Sequence, residues 1–157
     1  PADTFMFPER YARIRQFLSR RQPSLTLCLE QLHKPHNVSA LCDTVCVYEV
    51  NAVWDKKLLI RKSTAMGNEN WVYSKQHSCI KDAVGHLKKQ NMQVLIHLFD
   101  NAVDFRDIDY TEPPAIVLAK KHGATQEAIS AADQDVIIPI VGMVQYLNVS
   151  VTVALIF

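Results

Sequence analysis

The stretch IIPIVGMVQYLNVSV, from Ile137 to Val151, joins an apolar strand to a helix through a loop that contains Pro139 and Gly142. We predict the strand over Asp135–Ile140 and a helix that begins near Gln145. In an open α/β sheet, ligands bind beyond the carboxyl ends of the strands, where loops of this kind collect. On physical grounds this stretch is therefore the best candidate for a binding site, against the alternative of ordinary strand-to-helix packing.

The rest of the chain alternates short apolar runs with segments of helical periodicity. The predicted strands are Leu25–Leu32, Tyr48–Trp54, Met92–Phe99 and Ala115–Ala119. The predicted helices are Pro8–Pro23, a segment from His36, Ser78–Asn91 with Ser78 as its cap, and Thr125–Asp133 with Thr125 as its N-cap. Strands separated by helices predict an α/β fold with a mostly parallel sheet and helices on both faces.

Composition bounds the class of protein. The chain has 157 residues, of which 48% are hydrophobic and 21% charged, and this balance predicts one globular domain. A net charge of +1 neither demands nor excludes a nucleic-acid partner. Four cysteines without a CxxC pair, and no signal peptide, predict a cytoplasmic protein without disulfides. The apolar run Val149–Phe157 is far shorter than the ~20 residues that span a bilayer, so we expect no membrane segment.

Residues 1–23 form a leader and a basic amphipathic helix. Its polar face carries a group of arginines, among them Arg10, Arg13, Arg20 and Arg21. This density suits contacts with phosphate groups, but it is equally typical of a solvated helix face. Both interpretations remain open at this point.

Common signatures of other enzyme classes are absent: the sequence has no GxGxxG, GxxxxGK[ST], HExxH or GxSxG motif. His33 and His36 lack a third ligand at suitable spacing, so we interpret them as loop histidines and expect no metal site. The acidic residues of the segment 100–109 show no partner that would assign general acid and base roles. For them we predict a solvated loop with Asx turns.

Four segments together resemble the successive motifs of the SpoU/TrmH family of SPOUT RNA 2'-O-ribose methyltransferases. They are HKPHNVSA, DNAVDFRDIDYT, TQEA followed by ADQDVIIPI, and GMVQYLNVSV, and the similarity runs from about Arg10 to Ile156. The resemblance implies a SPOUT fold over residues 24–157 with a C-terminal deep trefoil knot, S-adenosyl-L-methionine bound in the knot loops, and a homodimer. It also implies that the substrate is tRNA, methylated on a guanosine ribose, which we expect to be guanosine-18 of the D-loop.

The resemblance assigns roles to individual residues. Asn37 and Asn148 match catalytic positions, and Asn37 corresponds to the asparagine that positions the reacting ribose and phosphate. The positions that match the cofactor loops are Leu118, Gly123, Ile138, Pro139, Gly142, Met143 and Leu147. With tRNA as substrate, Arg10, Arg13, Arg20 and Arg21 would contact its backbone. A ribose hydroxyl is barely ionised at neutral pH, so such an enzyme must remove its proton and hold nucleophile and methyl group in line.

The first two motifs depart from the family pattern. After Leu41 the family continues through an arginine proposed to activate the ribose hydroxyl, whereas this chain continues with Cys42. The gap of about three residues would rotate the rest of a helix by roughly 60°, because one turn takes ~3.6 residues. In the second motif Ala119 replaces a glycine, and the family's glutamate is missing from residues 120–122.

Further departures lie in the strand and at the end of the chain. The strand Met92–Phe99 is short by about one residue before His97, a loss that exchanges the two faces of a strand. Tyr146 stands where a serine is usual, and Phe157 precedes the completion of the family's C-terminal helix. Either these residues are lost, which predicts impaired activity, or the sequence omits residues that the molecule contains. We therefore keep two alternatives to an active methyltransferase: a catalytically silent RNA-binding relative and an unrelated flavodoxin-like binder of small molecules.

Overall fold

The computed structural model describes residues 7–20, 22–32, 34, 37–38, 40–41, 47–53, 72–98, 101–119, 123–143 and 147–156. The helices are α1 (Pro8–Ser19), α2 (Ile80–Lys89), α3 (Gln126–Ala131) and α4 (Val149–Ile156). The strands are β1 (Gln22–Glu30), β2 (Val47–Val53), β3 (Tyr73–His77), β4 (Gln93–His97), β5 (Val103–Asp104), β6 (Pro114–Ala119) and β7 (Gln134–Ile137). A 3-10 turn spans Phe105–Asp107, and residues 37, 38, 40 and 41 are helical.

These strands form one seven-stranded sheet in the order β3-β2-β1-β6-β4-β7-β5. Each of its six pairings is parallel. The predicted α/β fold with a mostly parallel sheet is therefore confirmed. Since parallel strands all end on the same side, their carboxyl ends form one edge, which we call the carboxyl edge.

The core consists of two layers, one on each face of the sheet. On one face Leu27 and Leu29 of β1 pack in a cluster with Val153 of α4. On the other face Cys28 shares a cluster with residues of α2, including Leu87. Adjacent residues of β1 thus bury opposite faces, and the prediction of helices on both faces is confirmed.

Several predicted boundaries were wrong. α1 ends at Ser19 instead of Pro23, because Gln22 already pairs with Val47 as part of β1. β7 ends at Ile137 instead of Ile140, as Pro139 has no N–H to donate to a neighbouring strand. The strand β3 was not predicted, since its YSKQH sequence is polar and only its last residue is buried. The two-residue strand β5 was not predicted either.

Of the two predicted helix caps, one is confirmed and one was wrong. Thr125 is the N-cap of α3, and its hydroxyl accepts a hydrogen bond from the Ala128 amide at 3.2 Å, as predicted. Ser78 does not cap α2: Cys79 occupies the N-cap position without a side-chain hydrogen bond. The Ser78 hydroxyl instead donates to the Asp82 carboxylate at 2.5 Å.

β4 lies where the sequence pattern is short of one residue. Ile96 pairs with both Val117 and Asp135, and His97 pairs with Val136, so the pairing runs on through this position. A shift by one residue would exchange the faces of the strand, but Val94, Leu95 and Ile96 are all fully buried aliphatics that suit either face. The other two junctions, after Leu41 and around residue 120, lie outside the described residues.

Three further predictions concern parts of the chain that are only partly described. Cys28 and Cys79 are free thiols, while Cys42 and Cys46 lie outside the described residues. The knot stays a prediction, because residues 120–122 and 144–146 in its expected loops are not described. Within the described ranges, no helix has the length and apolar character needed to cross a membrane.

Candidate functional site

The carboxyl edge collects most of the predicted site residues. Asn37 follows β1, Gly123 follows β6, and the loop of residues 138–143 follows β7. β1 and β6 are direct neighbours in the sheet, and β4 lies between β6 and β7. By contrast, the described arginines Arg10, Arg13 and Arg20 are exposed on and just after α1, which leads into the amino end of β1. Arg21 lies outside the described residues.

The turn after β1 presents Asn37. Gln31 adopts a positive φ of 52°, and its amide donates to the Val53 carbonyl of β2 at 3.1 Å, so the chain turns sharply as the strand ends. The backbone N–H of Asn37 then donates to the Lys34 carbonyl at 3.0 Å. Val38 is fully buried in the core, which fixes the turn, whereas Asn37 is half-buried. The predicted turn from a buried strand into a helical segment is therefore present.

The histidines of this segment, His33 and His36, lie outside the described residues. Among the residues with described positions, no group of three or more His, Cys, Asp and Glu could hold a metal ion.

The loop after β6 is held by a buried carboxylate. Gly123 has φ +93°, a backbone conformation that favours glycine. Two residues later, the Thr125 amide and hydroxyl donate to the two carboxylate oxygens of Glu30, at 3.1 Å and 2.5 Å. Glu30 is the last residue of β1 and is only 4% exposed. The ends of β1 and of the β6 loop are thus fastened together.

The loop after β7 exposes its apolar side chains. Ile138 is buried and anchors the start of the loop, while Pro139 and Gly142 are exposed. Val141 and Met143 are fully exposed. The loop therefore offers both accessible backbone groups and an apolar surface at the carboxyl edge.

Leu118 and Leu147 flank this region with different degrees of burial. The Leu118 side chain is 2% exposed and belongs to the core, so this residue could touch a ligand only through its backbone. Leu147 is half-buried.

Asn148 has a structural contact of its own. Its side-chain oxygen accepts hydrogen bonds from the Ser150 amide and the Ser150 hydroxyl, both at 3.1 Å. Its carbonyl accepts from the Thr152 amide at 3.0 Å. These are the contacts of an N-cap, so Asn148 orders the start of α4. The predicted helix start near Gln145 was early, since α4 begins at Val149.

His97 is a titratable side chain at this edge that the predicted site left out. It ends β4, between the strands that precede Gly123 and Ile138, and it is half-buried. Burial lowers its pKa below the ordinary value of 6.5. A lone histidine in an apolar run carries no sequence signal for a site. Only its position at the carboxyl edge, which the fold shows, makes His97 a candidate.

The acidic segment forms the predicted Asx turns. The Asp104 carboxylate accepts from the Arg106 amide at 3.0 Å and forms an ion pair with the Arg106 guanidinium at 2.6 Å. The hydrogen bonds from Arg106 lower the pKa of Asp104 to about 2. Asp109 accepts from the Thr111 amide at 2.9 Å. These carboxylates are therefore engaged in local structure.

A cavity of about 520 Å³ opens away from the carboxyl edge, at the amino end of β7. Its lining includes Val103, Ile129, Asp133 and Asp135. Asp133 is already bound by the Val94 amide at 2.9 Å and the Lys88 ammonium at 2.7 Å. None of the predicted site residues is among the described residues that line this cavity, so the carboxyl edge remains the candidate site.

The carboxyl-edge residues fit the expected adenosyl cofactor. A side chain built on Gly123 or Gly142 would meet nothing within 4 Å, so both glycines leave open space beside the backbone. The exposed apolar side chains of Ile140, Val141 and Met143 provide surface of the kind that covers an aromatic base.

Comparison with known proteins identifies similar chains. The model of the SpoU rRNA Methylase family matches residues 24–157. A protein of Escherichia coli K12 named tRNA (guanosine(18)-2'-O)-methyltransferase is 58% identical over 157 residues, covering 96% of this chain and 69% of the relative. The crystal structure of the A. aeolicus TrmH/SpoU tRNA modifying enzyme matches with a TM-score of 0.85 at 28% identity, covering 94% of this chain and 79% of that one. An AdoMet-bound rRNA methyltransferase from Sinorhizobium meliloti shares the fold with a TM-score of 0.72 at 17% identity, over 87% of this chain and 59% of that one.

Proposed function

This chain belongs to the SpoU rRNA Methylase family, and from that membership we propose that it methylates the ribose 2'-hydroxyl of a guanosine in tRNA, at guanosine-18, with S-adenosylmethionine as methyl donor. The observation that carries the proposal is the convergence of three loops on one edge of an all-parallel sheet. These loops follow β1, β6 and β7 and contain Asn37, Gly123 and the segment 138–143. The 58% identity to a protein named for this reaction supports the substrate.

The chain's own residues would bind and orient the reactants. Backbone groups around Gly123 and of residues 138–143 would hold the cofactor, which supplies a methyl group activated on a sulfonium. Asn37 would hold the ribose and its phosphate, since its amide can both donate and accept hydrogen bonds. Alignment of the 2'-hydroxyl with the methyl group within ~3 to 3.5 Å would then provide much of the rate enhancement.

Removal of the hydroxyl proton distinguishes the two candidate functions. The family's first-motif arginine is absent from the sequence after Leu41. This absence favours a second candidate, a catalytically silent relative that binds tRNA without methylating it. The flavodoxin-like alternative has no comparable support, because the family match spans most of the chain.

We place tRNA contacts on the basic helix. Arg10 and Arg13 of α1 are exposed, as is Arg20, and Arg21 continues the group in sequence. Their charges suit the phosphate backbone, which supplies most of the sequence-independent affinity of nucleic-acid binding. A tRNA substrate also favours a cytoplasmic location.

A homodimer is part of the proposal. Val151 and Leu155 lie four residues apart on α4 and are 45% and 49% exposed, and Met143 of the neighbouring loop is fully exposed. Residues at this spacing share one face of a helix. A second copy covering this face would bury apolar surface next to the candidate site.

The test is a methylation assay with purified protein, S-adenosylmethionine carrying an isotopic methyl label, and an unmodified tRNA transcript. Label recovered as 2'-O-methylguanosine at position 18 is the expected result, and a transcript with a 2'-deoxyguanosine there should accept none. Binding of tRNA without any transfer would instead support the silent relative. Absence of both cofactor and tRNA binding would contradict the proposal altogether.

A further inference from the structure

Glu30 is a buried carboxylate at the carboxyl edge that no predicted role uses. Both of its oxygens accept hydrogen bonds from a single residue, Thr125, through the amide at 3.1 Å and through the hydroxyl at 2.5 Å. The same hydroxyl accepts from the Ala128 amide at 3.2 Å. Thr125 is therefore fixed from both sides, by Glu30 and by the first turn of α3.

Burial of Glu30 makes its hydrogen bonds with Thr125 costly to break. Glu30 is 4% exposed, and a carboxylate removed from water is strongly destabilising unless hydrogen bonds replace its hydration. Neither of the donors from Thr125 is a cation. A neutral hydrogen bond at the surface can break at little cost, whereas breaking these bonds would leave a buried charge without its donors.

The position of Thr125 against Glu30 links the two halves of the candidate site. Thr125 lies two residues after Gly123, whose φ of +93° sets the course of the cofactor loop. Glu30 ends the strand that leads into the Asn37 turn, and it pairs in the sheet with Ala119, the last residue of β6. The Glu30 carboxylate thus fixes the loop at Gly123, which is assigned to the cofactor, against β1, the strand that leads to Asn37.

We propose that Glu30 is a positioning residue, which sets the cofactor loop at Gly123 relative to the Asn37 turn by clamping Thr125. This inference rests on the proposed function. It assigns Glu30 no contact with cofactor or substrate: its effect passes through Thr125.

The experiment compares Glu30→Gln with wild type and with Glu112→Gln, a matched control at an exposed carboxylate. Glutamine is uncharged and offers one acceptor oxygen where glutamate offers two, so Thr125 can no longer donate to two charged oxygens. We expect S-adenosylmethionine to bind Glu30→Gln roughly tenfold more weakly than wild type, as befits one charged hydrogen bond. The control should bind as wild type does.

A second pair of variants covers the case in which Glu30→Gln does not fold. Thr125→Val removes the hydroxyl and keeps the side-chain shape, and we expect it to weaken cofactor binding, whereas Thr125→Ser should recover it. Amide hydrogen exchange adds a readout that needs no cofactor. Thr125→Val should raise the exchange rate both at residues 123–125 and at residues 37–41.

Each outcome decides between the claims. Cofactor affinity within about twofold of wild type in both Glu30→Gln and Thr125→Val would overturn the positioning role, as would faster exchange confined to residues 123–128. If wild type binds no S-adenosylmethionine, the proposed function fails. The exchange data still test the clamp, because coupling between residues 123–125 and 37–41 is measured without cofactor.

Discussion

Asn148 combines a predicted catalytic role with an observed structural one. Its side-chain oxygen caps α4 by accepting a hydrogen bond from the Ser150 amide. In the predicted catalytic role, the side-chain nitrogen would contact the substrate. We predict that Asn148→Ala destabilises the protein by about 1 kcal/mol, the usual cost of losing an N-cap, and also abolishes methylation. Urea unfolding and the methylation assay measure the two effects separately.

Asn148→Asp separates these roles. Aspartate is as good an N-cap as asparagine, so the stability should return to that of wild type. It lacks the amide N–H group, so methylation should stay abolished if the side chain contacts the substrate. Full activity in Asn148→Asp would reduce Asn148 to a helix cap.

At the level of single residues, the sequence predicts local contacts better than distant ones. Thr125 was predicted as an N-cap because the pattern TQEA is local. The same reasoning missed α2 by one residue, where Cys79 holds the cap position without a side-chain bond. Nothing in the sequence near Glu30 or Thr125 indicates that they meet, since they lie 95 positions apart. The role predicted for Asn37 came from the resemblance alone, whereas the loop after β7 was also a candidate site on physical grounds.

Among the elements, α1 carries the prediction about tRNA. Replacing exposed Arg10 and Arg13 by glutamate should weaken tRNA binding and lower the slope of log affinity against log salt by about one for each phosphate that is no longer neutralised. Binding measured at several salt concentrations tests this. Lys89→Glu, at the exposed end of α2, is the control, and an equal weakening there for each unit of charge changed would assign the effect to net charge alone.

The corner formed by β2, β3 and α2 predicts how stability depends on pH. His77 Nε2 lies 2.6 Å from the Asn51 side-chain oxygen in a buried position. Burial lowers the pKa of His77 below 6.5, and the electrostatic effects of His86 and Lys75 lower it further, against opposing effects of Glu49 and Asp82.

The folded protein therefore binds the proton of His77 less readily than the unfolded chain does. As the pH falls through 6.5, the unfolded state gains the proton first, and the free energy of unfolding should decrease. His97 acts in the same direction. Urea unfolding from about pH 8 down to pH 5.5 should show a smaller decrease for His77→Gln than for wild type. An identical decrease in both proteins would contradict this assignment.

Element by element, apolar strands were predictable and polar ones were not. β1, β4 and β6 are buried on both faces, so they appear in the sequence as short apolar runs. β3 lies at the edge of the sheet and exposes Tyr73, Ser74 and Gln76, which removes that signal. The sheet order also could not be predicted from the sequence, because neighbouring strands such as β1 and β6 lie far apart in the sequence.

For the whole molecule, the exposed face of α4 predicts the oligomeric state. Val151→Glu with Leu155→Glu places two charges in the proposed interface, and we expect the dimer to become a monomer in sedimentation velocity. Tyr73→Glu, at an exposed position on the edge strand β3, should leave the dimer intact. A wild-type monomer, or a dimer that survives both glutamates, would exclude this face.

The pairing of β1 with β6 also has a consequence for how the protein acquires its site. Of the two neighbours of β1 in the sheet, β2 follows soon after it in the sequence, but β6 follows more than eighty residues later. Closing so long a loop must precede the contacts that stabilise it, and such topologies fold slowly. β1 therefore leaves the ribosome as an apolar strand without its central partner, and chaperones that shield such strands should raise the yield of folded protein. The candidate site can therefore form only after residues 138–143 have been synthesised.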